Sequence, residues 1–301
     1  MAVNTPDIQD LIQTAIQRLL ITPLEQASSF LSSGPRIFDT ASPISIPKLT
    51  GSFSPGFVGE SELIPEDSGV GFDAVGLLPS TMRSIKTLIR LSSESLRMST
   101  LSLDSVLQDR LVKDVSGKLD AQAWSASGDG VTTPRGVLAP ANVAGFAKID
   151  AAGAAISLDT LHDAYGRALA DDVPLSSLKW VMSPTMLTSL RKIKTATGSR
   201  EYVVTDNVAG TPGGLTLLGL PVTITKRLAP SGTVQAPKEH LLLWSPSSWA
   251  VARDLSPTAV VDRSRYLEYD QVALRIVSRF DWAPLQPEAT VLVQNALPAA
   301  A

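Results

Sequence analysis

Residues 57–80 read FVGESELIPEDSGVGFDAVGLLPS. Phe57–Ile64 suits an extended segment, Pro65-Glu66-Asp67-Ser68-Gly69 is turn chemistry, and Phe72–Leu78 runs back. Upstream, Ile44, Ile46 and Leu49 flank Pro47 in a strand that the proline confines to an edge. Downstream, Ile85–Leu91 continues the return. The reading is a long β-hairpin excursion over 44–91 with a Gly- and Ser-rich far end. Its charge is lopsided. From Gly51 to Ser80 there are five acids (Glu60, Glu62, Glu66, Asp67, Asp73) and no Lys or Arg. The next stretch, Thr81–Lys118, holds seven bases, Arg83, Lys86 and Arg90 among them, against four acids. Two solvated faces would account for this. The sharper reading is that the acidic hairpin of one copy lies on the basic segment of another.

Working outward, Ser102 suits the N-cap of the longest helix. Leu103, Leu107, Leu111, Val115, Leu119 and Ala123 recur at i+4. The pattern predicts a helix ending near Ser127, before Gly128-Asp129-Gly130, roughly 37 Å long by its 1.5 Å rise. At the other end of the hairpin, Thr5-Pro6 opens an amphipathic pattern over about residues 6–21, and 22–43 reads as an extended arm. The centre mixes types. A helix over Leu158–Leu169 is capped by Ser157, strand Lys179–Met182 leads into a helix from Pro184, and Gly210–Gly214 is a loop. Strands follow at Leu215–Leu218, Pro221–Thr225, His240–Trp244 and Trp249–Ala252. Gln271–Asp281 alternates, with Val272, Leu274, Ile276 and Phe280 on one side and Arg275, Arg279 and Asp281 on the other. No repeat and no regular βαβ order is present, so the class is α+β.

Composition narrows the chemistry. The 301 residues contain no cysteine and two histidines, His162 and His240. Thiolate metal sites and disulfides are thereby excluded, and two histidines argue against zinc chemistry and most His-based triads. A net charge of −3 gives no basic footprint for nucleic acid at the whole-chain level. No apolar run reaches the roughly 18 residues of a spanning helix, and the first ten residues lack a basic n-region. Phosphate-loop, dinucleotide, nucleophile-elbow and zinc-protease spacings are all absent. His162 reads as a surface or half-buried helix residue, and His240 as a structural strand residue. Glu60 and Glu62 have dyad spacing on a strand but no apolar pocket to raise either pKa. The five tryptophans are not interleaved with Lys or Arg, so they read as core or interface anchors. No catalytic, cofactor or metal residue is identified.

Three features are costly in a monomer: an arm helix with no local partner, a projecting hairpin of one charge sign, and a strand displaying Arg275 and Arg279. All three make sense between subunits of a lattice. The chain also resembles the major capsid proteins of tailed bacteriophages, with the HK97-type fold. The resemblance runs in order over residues 44–297. Phe57-Val58-Gly59-Glu60, Ile64-Pro65, Phe72-Asp73-Ala74-Val75 and Leu78-Pro79 look like that family's E-loop. Leu91-Ser92-Ser93-Glu94-Ser95-Leu96 looks like its approach to the spine helix. Gly128-Asp129-Gly130 with Pro134-Arg135-Gly136-Val137-Leu138 is similar to the segment that ends that helix. Trp180-Val181-Met182-Ser183-Pro184, Leu218-Gly219-Leu220-Pro221-Val222 and Asp270–Asp281 follow in the family's order.

The resemblance implies an N-terminal arm (1–43), an E-loop (44–91), a peripheral domain with the spine helix (92–135), an axial domain (136–255), and peripheral strands with a C-terminal return (256–301). It implies self-assembly into hexamers and pentamers of an icosahedral shell around double-stranded DNA. The expected partners are further copies, a portal protein, a separate scaffolding protein, decoration proteins and the packaged DNA, contacted without sequence preference. No membrane is involved. Virion assembly in the host cytoplasm is implied as well. The intersubunit candidates are Glu60, Glu62, Glu66, Asp67, Arg83, Lys86, Arg90, Arg275 and Arg279. Some members of that family join subunits through an E-loop Lys bonded to an Asn. No Lys stands between Lys48 and Lys86 here, so the hairpin tip has no amine for such a bond. Some members carry a long scaffolding segment that a protease removes. Only about 43 residues precede the E-loop and Met1 is present, which favours a separate scaffold, or none. Ser245-Pro246 stands where a Gly-Asp pair is frequent in the family. Two alternatives are an encapsulin shell enclosing cargo enzymes and, from another class, a hydrolase using a Ser and His162.

Overall fold

A computed structural model describes residues 24, 27–50, 57–61, 63, 71–92, 103–193, 215–233, 236–254, 258–262 and 265–297. The amphipathic pattern of 6–21, the Ser102 cap and the Gly210–Gly214 loop lie outside them.

The first elements are a short helix α1 (Ser29–Ser32) and strand β1 (Arg36–Thr40). The 22–43 stretch is therefore not simply extended. Phe30 anchors it, fully buried against Trp124, Trp244 and Trp282 at ring-centroid distances of 5.3–5.8 Å. Phe30 and Leu31 are an isolated apolar pair between two pairs of serines and give no periodicity, which is why the sequence pattern missed this docking.

Strands β2 (Ile44–Thr50) and β3 (Gly71–Leu77) form an antiparallel two-stranded ribbon, with Pro47 opposite Ala74. The expected strand over Phe57–Ile64 is not found in its described residues, 57–61 and 63; β2 is the partner of β3 instead. Strand β4 (Ile85–Ser92) does not continue the ribbon either, because a turn at Pro79–Met82 redirects the chain into another sheet.

Helix α2 (Leu103–Ala123) is the spine, 21 residues and about 32 Å by its rise. It stops four residues earlier than expected, for a clear reason. The carbonyl of Ala123 accepts the Val137 N–H at 2.7 Å and that of Trp124 accepts the Ala229 N–H at 3.1 Å, so other segments take the acceptors that another helical turn would use. Val112, Val115, Leu119 and Ala123 form its buried stripe.

The remaining elements build the centre: α3 (Pro140–Val143), β5 (Ala147–Asp150), α4 (Leu158–Ala170), β6 (Lys179–Met182), α5 (Pro184–Arg191), β7 (Thr216–Leu217), β8 (Leu220–Ile224), β9 (Ser231–Thr233), β10 (Ala236–Trp244), β11 (Trp249–Asp254), β12 (Thr258–Asp262), β13 (Gln271–Ser278), β14 (Phe280–Pro284) and β15 (Thr290–Ala296). Ser157 and Ser183 cap α4 and α5 through their hydroxyls, as their positions predict. Leu218 and Gly219, at φ +52° and +78°, make the two-residue turn between β7 and β8.

The largest sheet runs β5-β15-β10-β6-β8-β7, with β9 on the end of β10. Both of its faces are covered. Leu241, Leu243, Trp180, Met182, Val291 and Val293 face one core with α4 and α5. Leu242, Trp244, Val181 and Leu292 face the other, with α1 and α2. This explains the unbroken apolar runs of these strands. The C-terminal return thus joins the central sheet. A second sheet orders β1-β11-β14 and a third β12-β13-β4. The expected single strand over Gln271–Asp281 is two strands in different sheets, with the break at Arg279. Asp281 is consequently buried rather than exposed.

Candidate functional site

Sequence reasoning placed candidate residues on an acidic hairpin and a basic segment, and the two sit on different supports. The ribbon is rooted in a small cluster. Leu77, Leu78 and Met82 are nearly fully buried with Ala250 and Ala252, and Ile44, Ile46 and Val75 pack on them from the ribbon's inner face. Leu78 adopts φ +54°, unusual for a residue with a Cβ. Three ties fix this root. Its N–H donates to the Asp281 carboxylate at 2.9 Å, the Thr81 hydroxyl donates to the Val131 carbonyl at 2.8 Å, and the Arg83 N–H donates to the Thr132 carbonyl at 2.9 Å. The outer face of the ribbon carries Pro47, Phe72 and Ala74, all exposed. At the far end Phe57 and Leu63 are exposed too.

Asp281 is only 4% exposed. Burial pushes its carboxyl up to about 6, although the N–H groups of Leu78 and Trp282 and the charge of Arg135 pull the other way.

The third sheet carries the basic group. The β4–β13 register pairs Lys86 with Val277, Leu88 with Arg275 and Arg90 with Ala273, and directly opposed residues share a face. Lys86, Arg90 and Arg275 are therefore on one face, all exposed, around a Leu88 that is 54% exposed. The Arg90 guanidinium carbon lies 5.1 Å from the centre of the Tyr266 ring. Ile85 and Ile276 occupy the inner face, and Ile276 is buried. A groove of about 350 Å³ runs between β4 and α2, with Arg83, Lys86, Asp114, Lys118, Leu119 and Trp282 among its lining.

Of the remaining candidates, Arg83 is exposed beside that groove and Glu60 is exposed in a turn. Arg279 does not join Arg275, because the break in the strand turns it inward to a half-buried ion pair with Asp254 at 3.9 Å. Glu62, Glu66 and Asp67 lie outside the described residues.

Three carboxylates organise the molecule. Asp120, buried on α2, accepts from the Ser28 hydroxyl, the Ser29 N–H and hydroxyl, and the Phe30 N–H, holding the arm against the spine. The Ser-Ser pair before an aromatic was the available signal. Asp129 accepts N–H bonds from Val131, Thr132 and Thr133; the Thr133 N–H and the Thr132 hydroxyl lead in holding its carboxyl well below the ordinary range. Gly128, at φ +106°, lets this loop close, since a Cβ there would lie 2.1 Å from the Pro134 carbonyl oxygen. Asp281 is the third. Its register alternation hid its role, because it falls after a strand break that no residue type announces.

His162 is exposed on α4. Among the described residues no cluster of His, Asp and Glu could hold a metal ion, and no helix is long and apolar enough to cross a membrane.

The chain is similar to solved capsid structures over most of its length. Against the capsid of the native GTA particle it has 19% identity and a TM-score of 0.67, covering 89% of this chain and 90% of that one. A chain of Microbacterium phage Oxtober96 gives 16%, 0.66, and 88% and 90% coverage. One of Mycobacterium phage Cain gives 18%, 0.61, and 91% of each. These likenesses establish the HK97-type fold. No curated protein matches the sequence. The model of the phage capsid family matches residues 9–295, nearly the whole chain. With that match, the separate supports for hairpin and basic face are parts of a shell subunit rather than of an enzyme: the chain is a structural protein of the virion and belongs to the phage capsid family.

Proposed function

We propose that copies of this major capsid protein join by laying the acidic hairpin of one subunit over the basic face of the next. Hexamers and pentamers built this way close into the icosahedral shell. The observation that carries the reading is the placement of Lys86, Arg90 and Arg275 on one exposed sheet face around Leu88. Its complement is a 51–80 segment without a single Lys or Arg. The exposed Phe57, just before the acids, and Leu63, among them, supply apolar anchors, and the groove beside β4, with Arg83 and Lys118 on it, is large enough to take one. Each such contact is weak, and the closed shell gains its strength from many at once.

The same reading assigns a portal protein to one vertex, a separate scaffolding protein to assembly in the host cytoplasm, and decoration proteins to the outside. It gives the packaged DNA a contact without sequence preference. A nanocompartment around cargo enzymes has less support, since the family match is to phage capsids.

A charge-swap experiment tests the interface. Reversing Lys86 and Arg90 to Glu should abolish shells in electron micrographs and light scattering. Adding Glu60→Lys, Glu62→Lys and Glu66→Lys should restore them. Shells that form regardless of Lys86 and Arg90 reversal would sink this interface and leave the family assignment untouched.

A further inference from the structure

The hairpin must leave the body in a defined direction to reach a neighbour, and one side chain stands at its root. Asp281 is at the start of β14, opposite Ala252 of β11. Its Oδ2 accepts the N–H of Leu78, 203 residues away and immediately after β3. Its Oδ1 accepts the N–H of the adjacent Trp282 at 2.9 Å. Leu78 is held at φ +54° with its side chain fully buried. Beyond it the chain is a ribbon of two strands whose outer face packs on nothing in the described subunit.

We propose that the Asp281 carboxylate is the latch that fixes the hairpin's direction of departure, and that a proton on it loosens that latch. The reason is acceptor capacity. A carboxylate accepts both N–H groups, one per oxygen, whereas a carboxylic acid keeps one good acceptor and turns the other oxygen into a donor. The Trp282 N–H is held to Oδ1 by sequence proximity. The loss therefore falls on Leu78, on the movable element. Geometry makes this oxygen the place where a proton changes the shape of the subunit, and the raised carboxyl of this buried group brings the change into the mildly acidic range. Of the groups packed around it, Arg135 is the charge that acts on it; its partner across the sheet is Ala252, and the hairpin side offers the Leu78 amide. The other two ties at the root, from Thr81 and Arg83, use backbone carbonyls that do not titrate in this range. The device acts within one subunit, so it stands apart from the interface assignment above.

Hydrogen exchange at the Leu78 amide, read on the full-length subunit from pH 7.5 to 5 and corrected for the intrinsic rate, tests the proposal. Protection should fall about tenfold, the scale of one charge-assisted hydrogen bond, with a midpoint near 6. Asp281→Asn should show the low protection at both ends and no midpoint. Protection at Leu78 that does not change with pH in the wild-type chain would overturn the proposal, with no need for the variant to fold. A folded Asp281→Asn chain that keeps the wild-type protection and midpoint would do the same.

Discussion

Phe30 meets Trp124 edge to face, ring centroids 5.5 Å apart and planes at 83°. One ring belongs to the arm and the other to the end of the spine helix. The arm is therefore part of the core at Phe30 and Leu31, and Leu24 upstream is buried in the same cluster. Phe30→Ala should destabilise the subunit by about 3–5 kcal/mol, the cost of emptying a buried aromatic site. Chemical denaturation of the unassembled subunit reads this directly, and a change below about 1 kcal/mol would show that the arm is peripheral to folding.

Asp120→Ala removes the acceptor of four hydrogen bonds at the same junction and should cost roughly 2–3 kcal/mol. Its signature differs from that of Phe30→Ala. Proteolysis should release the arm near Ser28 and Ser29 while the rest of the fold stays resistant.

Acid has two opposite effects. Asp129 and Asp150 are held below the ordinary 3.8, the first by the Thr133 N–H and its neighbours, the second chiefly by the Asn295 amide. A depressed carboxyl contributes stability that is present above about pH 4 and lost as pH falls through its folded value. Asp281 is raised instead, so the fold takes up a proton between about 6 and 3.8 and its burial penalty fades over that window. Thermal unfolding of the subunit should therefore shift slightly upward from pH 7 to 5 and fall steeply below 4. Asp281→Asn should flatten the first limb and Asp129→Ala weaken the second. A single limb in the Asp281→Asn and wild-type chains alike would contradict the assignment.

Shells boiled in detergent should run on a denaturing gel as single subunits. No Lys stands between Lys48 and Lys86, so the hairpin tip offers no amine for an isopeptide bond. A ladder of multimers would refute this.

Much of the architecture was legible because periodicity reports burial. The helices at Leu158 and Pro184, their serine caps and the strands at Lys179 and Trp249 follow from apolar spacing and turn residues alone. The failures share a cause. The end of α2 is set by N–H groups of Val137 and Ala229, donors distant in sequence. The break after Ser278 and the docking of Phe30 also depend on partners that the local pattern cannot name. The basic face was legible in part: Lys86, Arg90 and Arg275 come together through the β4–β13 register, while Arg279 is lost to the break.

The central sheet buries alternate side chains of β6, β10 and β15 in two interiors at once. A force that shears it must drag Leu241 and Leu243 through one packed layer and Leu242 and Trp244 through the other in the same movement. Such a plate, clamped on both sides, resists slip far better than a sheet with one wet face. In a closed shell, strain should therefore fall on the two-stranded ribbon, which has one face open, before it reaches the doubly packed sheet.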